Sequence, residues 1–163
     1  MSRIERLLQG WDYAYDKEDW YPPLADALRG IDAAEAAWKP ESSSVNSIWQ
    51  TVNHMIFYKE RLLKRLTGEE TEYPKGVTND DTFSVDETGD QAWNETLARL
   101  DRVHRGIREK LAGMNDAELD DALPGGKLEG WADSLIRHDA YHAGQIILLR
   151  KLRDTWPANR SFE

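Results

Sequence analysis

Apolar residues recur at spacings of three and four along most of the chain, and no segment alternates strictly between apolar and polar positions. The pattern therefore predicts helices almost throughout and an all-α fold. Ser2 with Glu5 forms a capping-box signature ahead of an apolar face made by Ile4, Leu7, Leu8, Trp11 and Tyr15, which sets the first helix. Pro22-Pro23 interrupts that helix, because a proline pair fits a helix start but not its interior; Leu24, Ala27 and Leu28 follow before Gly30. A short helical turn is expected from Asp32, with Glu35 three residues on, before Pro40 and a loop at Ser42-Ser43-Ser44.

Ser47, followed three residues later by Gln50, opens a second long helix that passes through His54 and Leu63 and stops at Gly68. From Glu69 to Gly89 the chain is polar and without period, a length that suits a crossover or a flap more than a tight helix-helix turn. A third helix is predicted from about Asp90 to Gly113, with Trp93, Leu97, Leu100, Ile107 and Leu111 on one stripe. After a turn at Pro124-Gly125-Gly126, a fourth runs from about Glu129 to Arg153. Four long helices in 163 residues point to one domain, a four-helix bundle spanning the whole chain. Gly144, inside the fourth helix, is expected to mark close packing, since glycine there sacrifices helix stability. The same helix is apolar on a second side at Ile136, Ala140, Ala143 and Ile147, which predicts a central position or cover by a second copy, and so a homodimer.

Charge and composition narrow the chemistry. Thirty acidic against 21 basic residues give a net charge of -9, so a nucleic-acid backbone is repelled on average and nucleic acid is not an expected partner. No run of apolar residues approaches a membrane span and the N-terminus lacks the apolar core of a signal peptide, so a soluble cytoplasmic protein without a membrane partner is expected. The absence of cysteine removes disulfides, thiolate ligands and a cysteine nucleophile, and leaves histidine and carboxylate to hold any metal.

His138 and His142 supply the candidate chemistry. Residues at i and i+4 share a helix face, about 6 Å apart, and two imidazoles at that spacing can hold one ion. Both fall on the stripe of Trp131, Leu135, Ile146 and Leu149, which turns them toward the interior, where each ring nitrogen needs a partner. A third ligand is then required. His54, within Trp49, Met55, Ile56 and Phe57, is one candidate; His104, on the stripe of the third helix, is another, and periodicity alone leaves both open. Asp139 and Glu60 read as supporting or solvated charges. Three neutral imidazoles would suit a divalent ion, zinc or nickel, with an open position. Gln145 is a candidate to orient a ligand or a bound water, and Tyr58, at i+4 from His54, to meet a substrate. The several Lys and Arg residues that close the second and fourth helices need no role beyond complementing the helix dipoles.

The chain resembles the DinB-like (DinB/YfiT) superfamily of metal-binding four-helix bundles. The resemblance rests on Asn46 to His54, on Arg61 to Gly68 and, most specifically, on His138-Asp139-Ala140-Tyr141-His142-Ala143-Gly144-Gln145-Ile146, with support from Trp20 to Leu24 and Ala37 to Pro40. It implies an up-down-down-up bundle whose long crossover, Glu69 to Gly89, joins helices two and three. It also implies a metal held by His54, His138 and His142, which sets His104 aside as a ligand and leaves it a supporting candidate. Members commonly dimerise, and some transfer a low-molecular-weight thiol to an electrophile. The resemblance thus implies a metal-dependent thiol transferase or a hydrolase acting on a small molecule, with a non-catalytic metal- or ligand-binding stress-response protein as the alternative.

Overall fold

The computed structural model describes residues 1–41, 44–69 and 72–157. Ser42 and Ser43 of the expected serine loop, and residues 70 and 71 of the long connection, lie outside them. The helices are α1 (Arg3–Tyr15), α2 (Leu24–Leu28), α3 (Ala33–Ala37), α4 (Ile48–Leu66), α5 (Asp90–Ala112) and α6 (Leu128–Leu152). Their starts are written in side chains. Ser2 and Ser47 each accept from the backbone N–H three residues on, and Glu5 and Gln50 reach back to the cap N–H, closing both capping boxes. Asp32 caps α3 through the Glu35 N–H. Gly68, just past α4, takes φ 75°, a left-handed conformation open to glycine.

Two features were not legible as separate elements. The 69–89 connection holds a short 3-10 turn at Asp80–Phe83. The turn at Pro124-Gly125 joins two strands of two residues each, β1 (Ala122–Leu123) and β2 (Gly126–Lys127), paired antiparallel. Pro124 followed by Gly125 at φ 85° suits a type II turn, but two-residue strands are too short to leave an alternating signature in sequence.

α4 packs on α5 and α6, and α1 packs on both α6 and α5; α2 lies on α6, and α3 rests against α4 and α5. Contacts advance in the same sense along α4 and α5, where Trp49 donates to Thr96 at 3.1 Å, Glu60 meets Arg99 at 2.6 Å and Leu63 lies over Gly106. They advance in opposite senses along α4 and α6, where His54 meets His142, Lys59 meets Asp139 and Arg65 lies over Trp131. Arg3 binds Glu129, and the backbone at Gly10 faces Ile136, so α1 and α6 progress together.

Two apolar clusters fill the interior, one around Trp49, Val52, Ile56, Trp93 and Ile146, the other around Trp11, Leu62, Ile107, Leu111 and Ala132. Buried polar residues fall between them on α4 and α6, Lys59 on the one and Asp139 and His142 on the other, and the buried His104 of α5 lies against Lys59. Gly144 corrects the sequence expectation. It is exposed, and a Cβ placed there would meet nothing within 4 Å, because its face of α6 points away from the core. Among the described residues, no helix is long and apolar enough to cross a membrane.

Candidate metal centre

α4 and α6 bring His54, His138 and His142 together, with one ring nitrogen of each lying within 4.8 Å of the others. His138 Nε2 stands 2.9 Å from His54 Nε2 and 3.1 Å from His142 Nε2. The other nitrogen of two rings is fixed by a neighbour. His54 Nδ1 lies 2.7 Å from Thr82 Oγ1, and Thr82 spends its single hydroxyl hydrogen on the Asn79 carbonyl at 2.5 Å. Thr82 can therefore only accept from His54, which carries its proton on Nδ1 and leaves Nε2 bare. His142 Nδ1 donates in the same way to Gln145 Oε1 at 2.7 Å, leaving its own Nε2 bare.

Two bare lone pairs thus converge on His138 Nε2, which can offer one proton at most. With that proton on Nε2, His138 Nδ1 becomes a bare acceptor, and it is a buried atom with no hydrogen-bond partner. With the proton on Nδ1, three lone pairs face one another. Neither arrangement satisfies all the atoms, whereas one cation satisfies all three Nε2 atoms at once. A tetrahedral centre with bonds of about 2.0–2.1 Å spaces its ligands by roughly 3.3 Å, so the residues present fit the group.

Electrostatics favour the ligating form. Burial pushes His54 down to about 4, with the neighbouring His142 adding to the effect. Burial pushes His138 down to about 3, helped by His142, His54 and Lys59. His142 is also lowered by burial, with the Gln145 hydrogen bond opposing. At neutral pH all three rings are uncharged and free to donate electrons. The cluster is walled by Phe83, stacked on His54 at 4.0 Å between ring centroids, and by Tyr58, edge-on to His54 at 5.1 Å. On one side it opens to a cleft of about 570 Å³, whose lining includes His54 and His138.

A family model of the DinB superfamily matches residues 22–146. The chain belongs to the DinB superfamily. No curated protein matches it.

In this DinB chain Gln145 and Tyr58 adjoin the three histidines, whereas His104, Asp139 and Glu60 engage other partners. Gln145, although exposed, orients His142. Tyr58 lines the cleft and donates to Asn79 Oδ1 at 2.9 Å, and burial is the largest influence raising its hydroxyl above the usual range. His104 lies elsewhere, stacked between Tyr15 and Trp11, with Lys59 Nζ donating to its Nδ1 at 3.2 Å. Asp139 forms a wholly buried ion pair with Lys59 at 2.6 Å, and Glu60 a partly exposed one with Arg99. Lys59 and Thr82 were not foreseen. Lys59 carried a signal, since it falls on the α4 stripe of Val52, Met55, Ile56 and Leu62. Thr82 carried none, because a loop residue has no period to place it.

Proposed function

We propose that His54, His138 and His142 hold a divalent cation, zinc or nickel, in a site that acts on a small molecule, as a metal-dependent thiol transferase or hydrolase. The observation that carries this reading is the convergence of two fixed, bare Nε2 lone pairs on a third Nε2 beside an open cleft. When bound, such an ion lowers the pKa of a coordinated water or thiol, making either a nucleophile at neutral pH. The chain's own part is to hold the rings. Thr82 and Gln145 fix two tautomers, Phe83 and Tyr58 limit water on the α4 side, and Tyr58 and Asn79 offer polar atoms to a ligand in the cleft. The lack of cysteine suits a thiol supplied as cosubstrate.

The sense of the helix contacts supports reading α1, α4, α5 and α6 as a single up-down-down-up bundle, with the 69–89 segment as its crossover. A homodimer is supported by an apolar stripe on α6, where Tyr141, Leu148 and Leu152 are exposed on one face around Gly144. Elemental analysis of protein purified without a histidine tag tests the metal reading. Stoichiometric zinc or nickel in the native protein and its loss from His142→Ala are expected; metal retained by the variant, or absent from both, overturns it.

A further inference from the structure

The cleft beside the histidines has a shape that α6 dictates. Gly130, Trp131, Ser134, Leu135 and His138 all line it, so it follows one strip of that helix over nine residues, a rise of about 12 Å, from the first turn to the imidazoles. Its volume of about 570 Å³ is that of a small-molecule site. Trp131 is held in place on two counts. Its indole N–H donates to the Pro124 carbonyl at 3.2 Å, and the Arg65 guanidinium lies 4.1 Å from the ring centre. Leu135, well buried, extends the apolar wall toward His138.

The outer part of the cleft is kept open by glycine. Gly125 has φ 85° and is explained by its turn, but Gly126 and Gly130 have no such conformation, and a Cβ on either would meet nothing within 4 Å. Gly130 also sits in the first turn of a 25-residue helix, where almost any other residue favours the helix more. Backbone geometry therefore does not require these two glycines, and Gly130, which lines the cleft, leaves open space where a side chain would stand. Lys127, the charged residue at this end, is engaged by Asp120 at 2.7 Å, which leaves the wall predominantly apolar.

From this geometry we infer that the cleft is the binding site for an elongated small molecule with a flat apolar or aromatic body, lying along Trp131 and Leu135, and a nitrogen, oxygen or sulfur donor at the end that meets the histidines. The inference rests on the metal reading for the donor end only. The apolar end stands on the glycines and Trp131, and Gly130 is the specificity-determining position.

Two hydroxamates with the same metal-binding head separate these parts. Biphenyl-4-hydroxamic acid carries an elongated body of two aromatic rings, and acetohydroxamic acid carries none. Titration calorimetry on tag-free, zinc-loaded protein is expected to show the biphenyl compound binding at least about tenfold tighter. In Gly130→Leu the preference is expected to fall to about twofold or less, with zinc content and acetohydroxamate affinity unchanged. Full zinc content with equal affinities, or a preference that survives Gly130→Leu, overturns the cleft assignment and leaves the metal reading intact. Failure to take up either zinc or nickel overturns the metal reading instead. The cleft is then decided on metal-free protein by anilinonaphthalene sulfonate fluorescence, where binding lost in Gly130→Leu supports the assignment and unchanged binding, or none, rejects it.

Discussion

Two buried polar clusters meet α4 and α6 of this DinB protein, about one turn apart on α4 and interleaved on α6, where Asp139 stands between His138 and His142, and they resolve their electrostatics differently. Around His104, a cation, an anion and a neutral imidazole answer one another. Lys59 gives one hydrogen to Asp139 and another to His104 Nδ1, and lies 4.4 Å from the centre of the Trp11 ring. Burial lowers the Lys59 ammonium and raises the Asp139 carboxyl, and each shift is opposed by the partner's charge. Burial also holds His104 far below its ordinary value, with Lys59 next in effect, so the ring stays neutral and accepts. Around His138 no such answer exists. Three imidazoles share one hydrogen at most among their facing nitrogens, and the cluster adjoins a cleft where the other is enclosed. Burial of a histidine is therefore no sign of a ligand; the direction in which its remaining lone pair points, and whether anything there can donate, is what separates the two.

Substitution should separate them most sharply at the rings. His54→Ala is expected to abolish metal binding, whereas His104→Ala should leave metal content unchanged while lowering the melting temperature; metal loss from both variants would erase the contrast. The next largest effect is on stability. Lys59→Met strands the Asp139 carboxylate, whose Oδ1 already lacks a partner, and should cost about 3–5 kcal/mol in denaturant unfolding. Replacing both partners, Lys59→Met with Asp139→Leu, should cost much less, because no buried charge is then left alone.

Acidification acts on the open cluster by a definite sign. The His54 and His138 pKa values are depressed, to about 4 and about 3, so the unfolded chain binds more protons than the fold once pH drops below about 6.5. Their contribution is complete above that value and is lost as pH falls through about 4 and about 3, and protons compete with metal for His54 and His138 of the folded site only near those lower values. The melting temperature is expected to begin falling below about pH 6.5, and metal content only as pH approaches about 4; metal content still unchanged at about pH 3 would contradict the ligand assignment. Thr82→Val, which removes the acceptor for the His54 Nδ1–H, should weaken metal affinity about 10–100-fold in a chelator competition. Gln145→Ala should do less than Thr82→Val in the same assay, since this amide is exposed and water can replace it.

Much of this arrangement was legible in the chain, and the parts that were not share a cause. Capping boxes at Ser2 and Ser47 and the proline pair before α2 are local, so they fixed helix starts directly. The i, i+4 spacing put His138 and His142 on one inward stripe by the period of the helix alone. His54 and His104 could not be told apart that way, because both lie on apolar faces and both are buried. Gly144 misled, since the cost of a mid-helix glycine says that something differs at that position but not whether space or a neighbour is the reason.

The sequence by itself determined where the long helices begin, which faces are apolar, and that any protein-held metal must rest on imidazole or carboxylate, for these depend on residue type and on contacts within a few positions. Only the tertiary structure decided that α4 rather than α5 faces the α6 histidines, that Lys59 neutralises Asp139, and that Thr82 fixes the His54 tautomer. Those partners are separated by 28 to 84 residues, and no short-range rule carries information across such a distance.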